Sequence, residues 1–225
     1  MTIPRFYVPG PWTSDRITFP EKASHHAMRV LRMRNGDEAE VFDGEGRTAR
    51  GRTEFSSEGT VLIAESYPEH GRESPLFITL AQAFVSPDKM EWITEKAVEA
   101  GASRIVFFPA ARSVTKLSGD KLTKRLEKLR ATAVSACEQC GRSRIPEIEA
   151  FASAEAMLSG LNADARVILA PSSDPGLALG AARSVVFAVG PEGGFSEEEL
   201  TLADGAGWTL SLIHISEPTR HSLIS

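Results

Sequence analysis

Cysteine is scarce in this chain, with two in 225 residues, which excludes a disulfide framework. Cys137 and Cys140 form a C-x-x-C near the end of a long helical pattern. Redox cysteines need a helix N-terminus to lower the thiol pKa, and a zinc site needs two further ligands that no second C-x-x-C supplies. The expectation is two small helix residues and no metal. His25 and His26 are adjacent, so on a helix they point in different directions and make a poor metal pair. Long apolar runs are also lacking, so no segment reads as a bilayer span. Met1-Thr2-Ile3-Pro4-Arg5 lacks the charged-then-apolar order of a signal peptide, and a cytoplasmic protein without a membrane partner is expected.

A large excess of charge is missing too: the net charge is −5, which by itself discourages a nucleic-acid ligand. Its distribution argues the other way. Residues 104–144 carry ten basic side chains against Asp120, Glu127 and Glu138, a balance of +7. From residue 145 onward three arginines face eleven acids, a balance of −8. Such asymmetry fits one face for an anion and another for water or a subunit. A solvated helix face plus a basic loop remains the plainer reading.

The first 70 or so residues read as mostly β, with runs at Arg5 to Val8, Ala39 to Phe42, Thr48 to Phe55 and Thr60 to Ala64. Turns at Asn35-Gly36-Asp37, Asp43-Gly44-Glu45-Gly46 and Ser57-Glu58-Gly59 separate them. One helix is expected over about Ser24 to Met33, capped by Ser24, with Met28 and Leu31 facing inward and Arg29, Arg32 and Arg34 displayed. Short strands in a small unit suggest a barrel-like domain, and Glu69 to Ser74, before Pro75, reads as a linker. From residue 76 strand and helix alternate, the signature of a parallel α/β sheet. Leu76 to Phe84, Ile105 to Phe108, Val167 to Ala170 and Val185 to Val189 are the expected strands, with a further strand near Trp208 to Leu212. Ser86-Pro87 opens a helix with Met90, Ile93, Ala97 and Val98 inward, ended by Gly101. Leu122, Leu126, Leu129, Ala133, Ala136 and Cys140 trace a second, stopped at Gly141.

Between an apolar run and an acidic helix start lies Gly190-Pro191-Glu192-Gly193-Gly194-Phe195. Glycines there let the backbone approach a ligand closely, and Ser196 with Glu199 reads as a capping box. A helix N-terminus that binds phosphate is free of negative charge, yet Glu197, Glu198 and Glu199 fill this first turn. No Walker lysine and no dinucleotide spacing follows. The run is either a plain strand-to-helix turn or a loop for a ligand other than a polyphosphate. The loop after Ala170, Pro171-Ser172-Ser173, also lies at a strand's carboxyl end, where α/β sheets bind ligands.

Taken together these stretches resemble the family of bacterial small-subunit rRNA methyltransferases acting on N3 of a uridine. The matching residues are Arg5-Phe6-Tyr7, His26 to Arg34, Phe42-Asp43-Gly44, Lys89 to Trp92, Glu95 to Gly101, Arg112 to Lys116, Ala136 to Arg142, Arg144-Ile145-Pro146 and Gly190 to Phe195. They run in order over about residues 1–210, and the ordered set is specific. The resemblance implies an α/β chain with an N-terminal PUA-like RNA-binding β-barrel over 1–72 and a C-terminal SPOUT trefoil-knot domain over 75–210. It further implies a homodimer, S-adenosylmethionine as cofactor, and 16S rRNA of the small ribosomal subunit as substrate. By that resemblance the donor is held by Leu169, Ala170, Pro171, Gly190, Pro191, Glu192, Gly193 and Gly194. Arg112, Glu138 and Arg142 are the catalytic candidates. RNA contacts fall on Arg5, Arg29, Arg32, Arg34, Lys89 and Lys116.

The resemblance fails at the end. The family continues past Trp208 to Leu212 with a glycine-containing loop and a final helix; here residues 211–225 read as a non-native tail of a truncated or chimeric chain. The expectation is an incomplete knot and donor binding that is weak or absent. Two rivals remain from the sequence: a non-catalytic RNA-binding protein, with strong salt dependence and no donor affinity, and an α/β enzyme for another nucleotide, disfavoured by the acidic first turn.

Overall fold

A computed structural model describes residues 3–57, 59–69, 73–170 and 179–211. The N-terminal stretch forms β1 (Arg5–Tyr7), β2 (Arg16–Thr18), α1 (Glu21–His25), β3 (Glu38–Phe42), β4 (Thr48–Ser56) and β5 (Gly59–Ser66). These strands make a five-stranded mixed sheet in the order β1-β3-β4-β5-β2, with β1 parallel to β3 and the other pairs antiparallel. Period-2 burial puts Phe6, Ile17, Ala39, Val41, Ala49 and Leu62 into one apolar core. The β3–β4 turn is closed by Asp43, whose Oδ1 accepts the N–H groups of Glu45 and Arg47 at 2.8 and 3.0 Å.

The helix of this stretch differs from expectation. It begins at Glu21, runs for five residues, and widens into a π-helical turn over His26–Val30. That wider turn breaks the 3.6-residue spacing on which the inward face was drawn. Ala27 is fully buried, while Met28 and Leu31 are 37% and 44% exposed. Ser24 is no cap either; it is buried, and its Oγ accepts the N–H of Thr60 at 2.9 Å.

Strands and helices then alternate: β6 (Phe77–Ala83), α2 (Pro87–Glu99), β7 (Arg104–Phe108), α3 (Gly119–Cys140), β8 (Glu147–Ala150), α4 (Ala154–Gly160), β9 (Ala165–Leu169), β10 (Ser184–Val189), α5 (Glu197–Gly205) and β11 (Thr209–Ser211). The sheet is all-parallel, in the order β11-β9-β10-β6-β7-β8. Proline opens α2 as expected, and Gly141 ends α3 in the left-handed region at φ +83°. In α3 the inward face is Leu129, Ala133, Ala136 and Cys137, with Leu122, Leu126 and Cys140 only half-buried. Among the described residues no helix is long and apolar enough to cross a membrane.

By compactness the chain falls into two units: Met1–Phe77 with Pro87–Ile105 and Ser118–Glu149, and Ile78–Ser86 with Val106–Leu117 and Ala150–Ser225. In the first, α3 packs on α2 and on β1. In the second, one core joins Ala81, Phe108, Met157, Ile168, Val186 and Trp208. The tail lies outside the described residues from residue 212 on; Ser211, its first residue, is buried in β11 and registers with Leu169 of β9.

Candidate functional site

The second unit gathers the carboxyl ends of β6, β7, β9 and β10. After Val189 the chain turns at Gly190, whose carbonyl accepts a hydrogen bond from Gln82 Nε2 at 3.2 Å. Gln82 is buried at the end of β6, and the same amide nitrogen donates to the Ala83 carbonyl at 3.1 Å. A Cβ on Gly190 would meet Gly194 C and Phe195 N at 3.2 Å, so the loop folds back on itself closely enough that a side chain there would push its backbone aside. The turn closes with Gly194 N–H donating to Pro191 O at 2.9 Å, and Gly194 sits at φ +69°, where glycine is favoured. Phe195 then anchors the loop, buried and stacked on Phe108 at 6.3 Å.

The capping box is present: Ser196 Oγ accepts the Glu199 N–H and Glu199 Oε2 accepts the Ser196 N–H. The Glu198 carboxyl is held below its ordinary value by its own backbone N–H, then by the Ser196 hydroxyl and, against slight burial, by the Arg112 charge. First-turn donors that a phosphate needs are thus met by the chain's own oxygens. Arg112, on the loop after β7, reaches this loop directly, with one guanidinium N–H donating to Gly193 O at 2.9 Å. Arg112 is exposed, as are Glu192, Gly193 and Lys116; Pro191 and Ala170 are buried and Leu169 half-buried. Ala170 N–H donates to Ser211 O at 3.3 Å. Pro171 lies outside the described residues.

Arg112 and the glycine loop are therefore together; Glu138 and Arg142 belong to the first unit and have other work. Arg142 is buried, and its guanidinium is committed: Nε and one terminal nitrogen donate to Glu73 Oε2 at 3.1 and 2.8 Å, the other to the carbonyls of Val98 and Ala102 at 3.0 and 2.8 Å. Glu73 Oε1 accepts the N–H groups of Ser143 and Arg144, both at 3.1 Å. Burial pushes the Glu73 carboxyl up, but the Arg142 hydrogen bond, the Arg144 N–H, the Arg142 charge and the Ser143 N–H together hold it below the ordinary value. Glu138 Oε1 accepts the Tyr7 N–H at 3.0 Å, and burial raises its carboxyl despite that bond and the charges of His26, Lys22 and Arg5. Arg5, expected on RNA, is inside as well. It donates to Glu40 Oε1 at 2.6 Å, to the carbonyls of Cys137 and Arg142 and to Ser143 Oγ, with its guanidinium 4.9 Å from the Phe42 ring centroid. In this structure Arg5 and Glu138 tie the end of α3 to β1, while the Arg142 side chain is spent on Glu73 and on the carbonyls of Val98 and Ala102. The Cys137 thiol, buried beside them, is pushed up to about 12 by its burial.

Of the other RNA candidates, Arg29, Arg32, Arg34 and Lys89 are exposed, and Arg32 holds φ +54°, uncommon for a residue with a side chain. Gln82, bonded to Gly190, and Glu199, bonded to Ala111, are candidate site residues the sequence did not assign. A lone amide in the apolar strand of β6 was the available signal for the first; Glu199 read only as a helix cap.

Two family descriptions match the chain: an RNA methyltransferase domain over residues 72–214 and an RNA methyltransferase PUA domain over residues 19–64. The ribosomal RNA small subunit methyltransferase E of Bacillus subtilis (strain 168) is 32% identical over 199 residues, covering 80% of this chain and 77% of that protein. That of Mycobacterium tuberculosis (strain CDC 1551 / Oshkosh) is 32% identical over 194 residues, covering 81% and 72%. Among solved structures, a Legionella pneumophila methyltransferase in complex with the bound cofactor SAM superimposes with a TM-score of 0.85 at 28% identity, over 95% of this chain and 90% of that one. A ribosomal RNA small subunit methyltransferase E from Neisseria gonorrhoeae bound to S-adenosyl methionine gives 0.80 at 29% identity, over 93% and 88%.

Proposed function

We infer the activity from one premise: this chain belongs to the ribosomal RNA small subunit methyltransferase E family. It is an S-adenosylmethionine-dependent rRNA methyltransferase with a PUA-like N-terminal domain and a SPOUT-type α/β domain. The finer reading is that it methylates N3 of a uridine in 16S rRNA, within the small ribosomal subunit, as a cytoplasmic homodimer. In that reading residues 1–72 bind RNA and residues 75–210 carry the chemistry.

The observation that carries the site is the glycine loop at the carboxyl end of β10, folded back so closely at Gly190 that a Cβ would lie 3.2 Å from its own backbone, and held by Gln82 and Arg112. Residues 169–171 and 190–194 would hold the donor through backbone groups, and the acidic first turn would repel a polyphosphate. S-adenosylmethionine supplies an electrophilic methyl group. The chain's own residues align acceptor with donor, which is the larger part of such a transfer, and Arg112 is positioned to steady negative charge on the uracil as its N3 proton leaves. Arg29, Arg32, Arg34, Lys89 and Lys116 offer charge to the RNA backbone.

Incubation with tritiated S-adenosylmethionine and unmodified small ribosomal subunits, followed by mass spectrometry of the labelled nucleoside, tests this. The expected product is N3-methyluridine. Salt-dependent RNA binding with no donor uptake in a calorimetric titration would instead favour a non-catalytic RNA-binding protein.

A further inference from the structure

Glu199 does more than cap a helix. A capping-box glutamate ordinarily leaves its second oxygen in water. Here the residue is 7% exposed, and while Oε2 accepts the Ser196 N–H at 2.9 Å, Oε1 accepts the N–H of Ala111 at 2.8 Å, from a loop 88 residues earlier in the chain. Burying a carboxylate is unfavourable unless hydrogen bonds satisfy it, and both oxygens are satisfied by backbone N–H groups. The loop so held is a closed turn: Ser113 N–H donates to Ala110 O at 3.0 Å, and Ala110 N–H donates to Ser113 Oγ at 3.2 Å. Its other anchor is Arg112, bonded to Gly193 O, with a Gly193 Cβ position only 3.3 Å from Arg112 Cβ. Ala111 is itself exposed, so core packing does not account for the bond to its N–H.

We propose that Glu199 is a positioning residue of the donor site, pinning the Ala110–Ser113 turn so that Arg112 stays locked on the glycine loop. This rests on the reading that the glycine loop holds the donor. Glu199→Gln keeps the size of the side chain but turns an amide NH2 toward one of two N–H groups, so one of the two ties is lost. Glu197→Gln removes one negative charge from the same helical turn at an exposed position, and Ser196→Ala weakens the same helix cap without touching Ala111.

The test measures S-adenosylmethionine Kd and KM, rRNA KM, and Tm for the full chain and these variants. Glu199→Gln is expected to weaken donor binding about tenfold, with rRNA KM unchanged; tenfold corresponds to about 1.4 kcal/mol. Glu197→Gln should bind as the parent does, and Ser196→Ala should lower Tm without following Glu199→Gln in donor Kd. In an Arg112→Ala background, Glu199→Gln should add little, because both act on one turn. Unchanged donor Kd in Glu199→Gln, an equal loss in Ser196→Ala, or full additivity with Arg112→Ala overturns the proposal. If Glu199→Gln does not fold, amide hydrogen exchange on the unaltered protein decides: the Ala111 N–H should be protected despite its exposure, and fast exchange there overturns the idea. Failure of the unaltered chain to bind donor at all marks failure of the donor-loop reading instead.

Discussion

Arg142 makes four hydrogen bonds and an ion pair inside the first unit, and its replacement leaves the Glu73 carboxylate facing a void. Arg142→Ala is therefore expected to cost about 3 kcal/mol in chemical denaturation. The pH dependence has a definite sign. Because the Glu73 carboxyl is held below its ordinary value in the folded state, its contribution is complete above the unfolded carboxylate value and is lost as pH falls through the lower folded one. Glu73→Gln should flatten that acid limb of stability, read as Tm against pH. Sequence alone ranked Arg142, Glu138 and Arg5 as site or RNA residues because residue type and motif say nothing of burial. Their partners lie far off in sequence, 132 residues away for the Arg5–Cys137 bond. Arg112 was legible because a basic loop after a strand of a parallel sheet has few places to be except at the carboxyl edge.

The glycine loop was readable as a whole: an apolar run, three glycines, and serine followed by glutamate at capping distance all depend on neighbours in sequence. Its glycines are not equivalent. At Gly194 an alanine would meet nothing within 4 Å and suffer only backbone strain of about 1 kcal/mol. At Gly190 the new methyl would press on the backbone of Gly194 and Phe195. Gly190→Ala is expected to weaken donor binding about tenfold, as an overpacked site of 1–3 kcal/mol does, and Gly194→Ala to weaken it far less, both by calorimetry. The helix after Pro20 was misread because nothing in a short sequence announces a π turn, and α4 escaped notice because seven residues make only two turns.

Across the molecule, the alternation of strand and helix from residue 76 was enough to give a parallel sheet, and the ordered motifs were enough to give the family. Compactness was not legible, because it depends on hydrogen bonds between β1 and the end of α3 that no local pattern records. The charge asymmetry does carry a measurable consequence. Each phosphate contact on single-stranded RNA contributes about 0.7 to the slope of log affinity against log salt. Replacing Arg29, Arg32 and Arg34 together by alanine should reduce that slope by about 2 in filter binding to 16S rRNA fragments, while leaving donor Kd unchanged. An unaltered slope would remove the π turn from the RNA surface.

The buried Cys137 gives the protein a built-in clock. With its thiol pushed up to about 12 by burial, hardly any of it is the reactive anion at neutral pH, and the burial of Cys137 keeps reagents away as well. Alkylation at this sulfur is expected to wait on momentary opening of the seam where Arg5 donates to the carbonyls of Cys137 and Arg142. The rate of its slow modification, resolved by mass spectrometry from that of half-buried Cys140, would then report how often that seam breathes, with no residue changed.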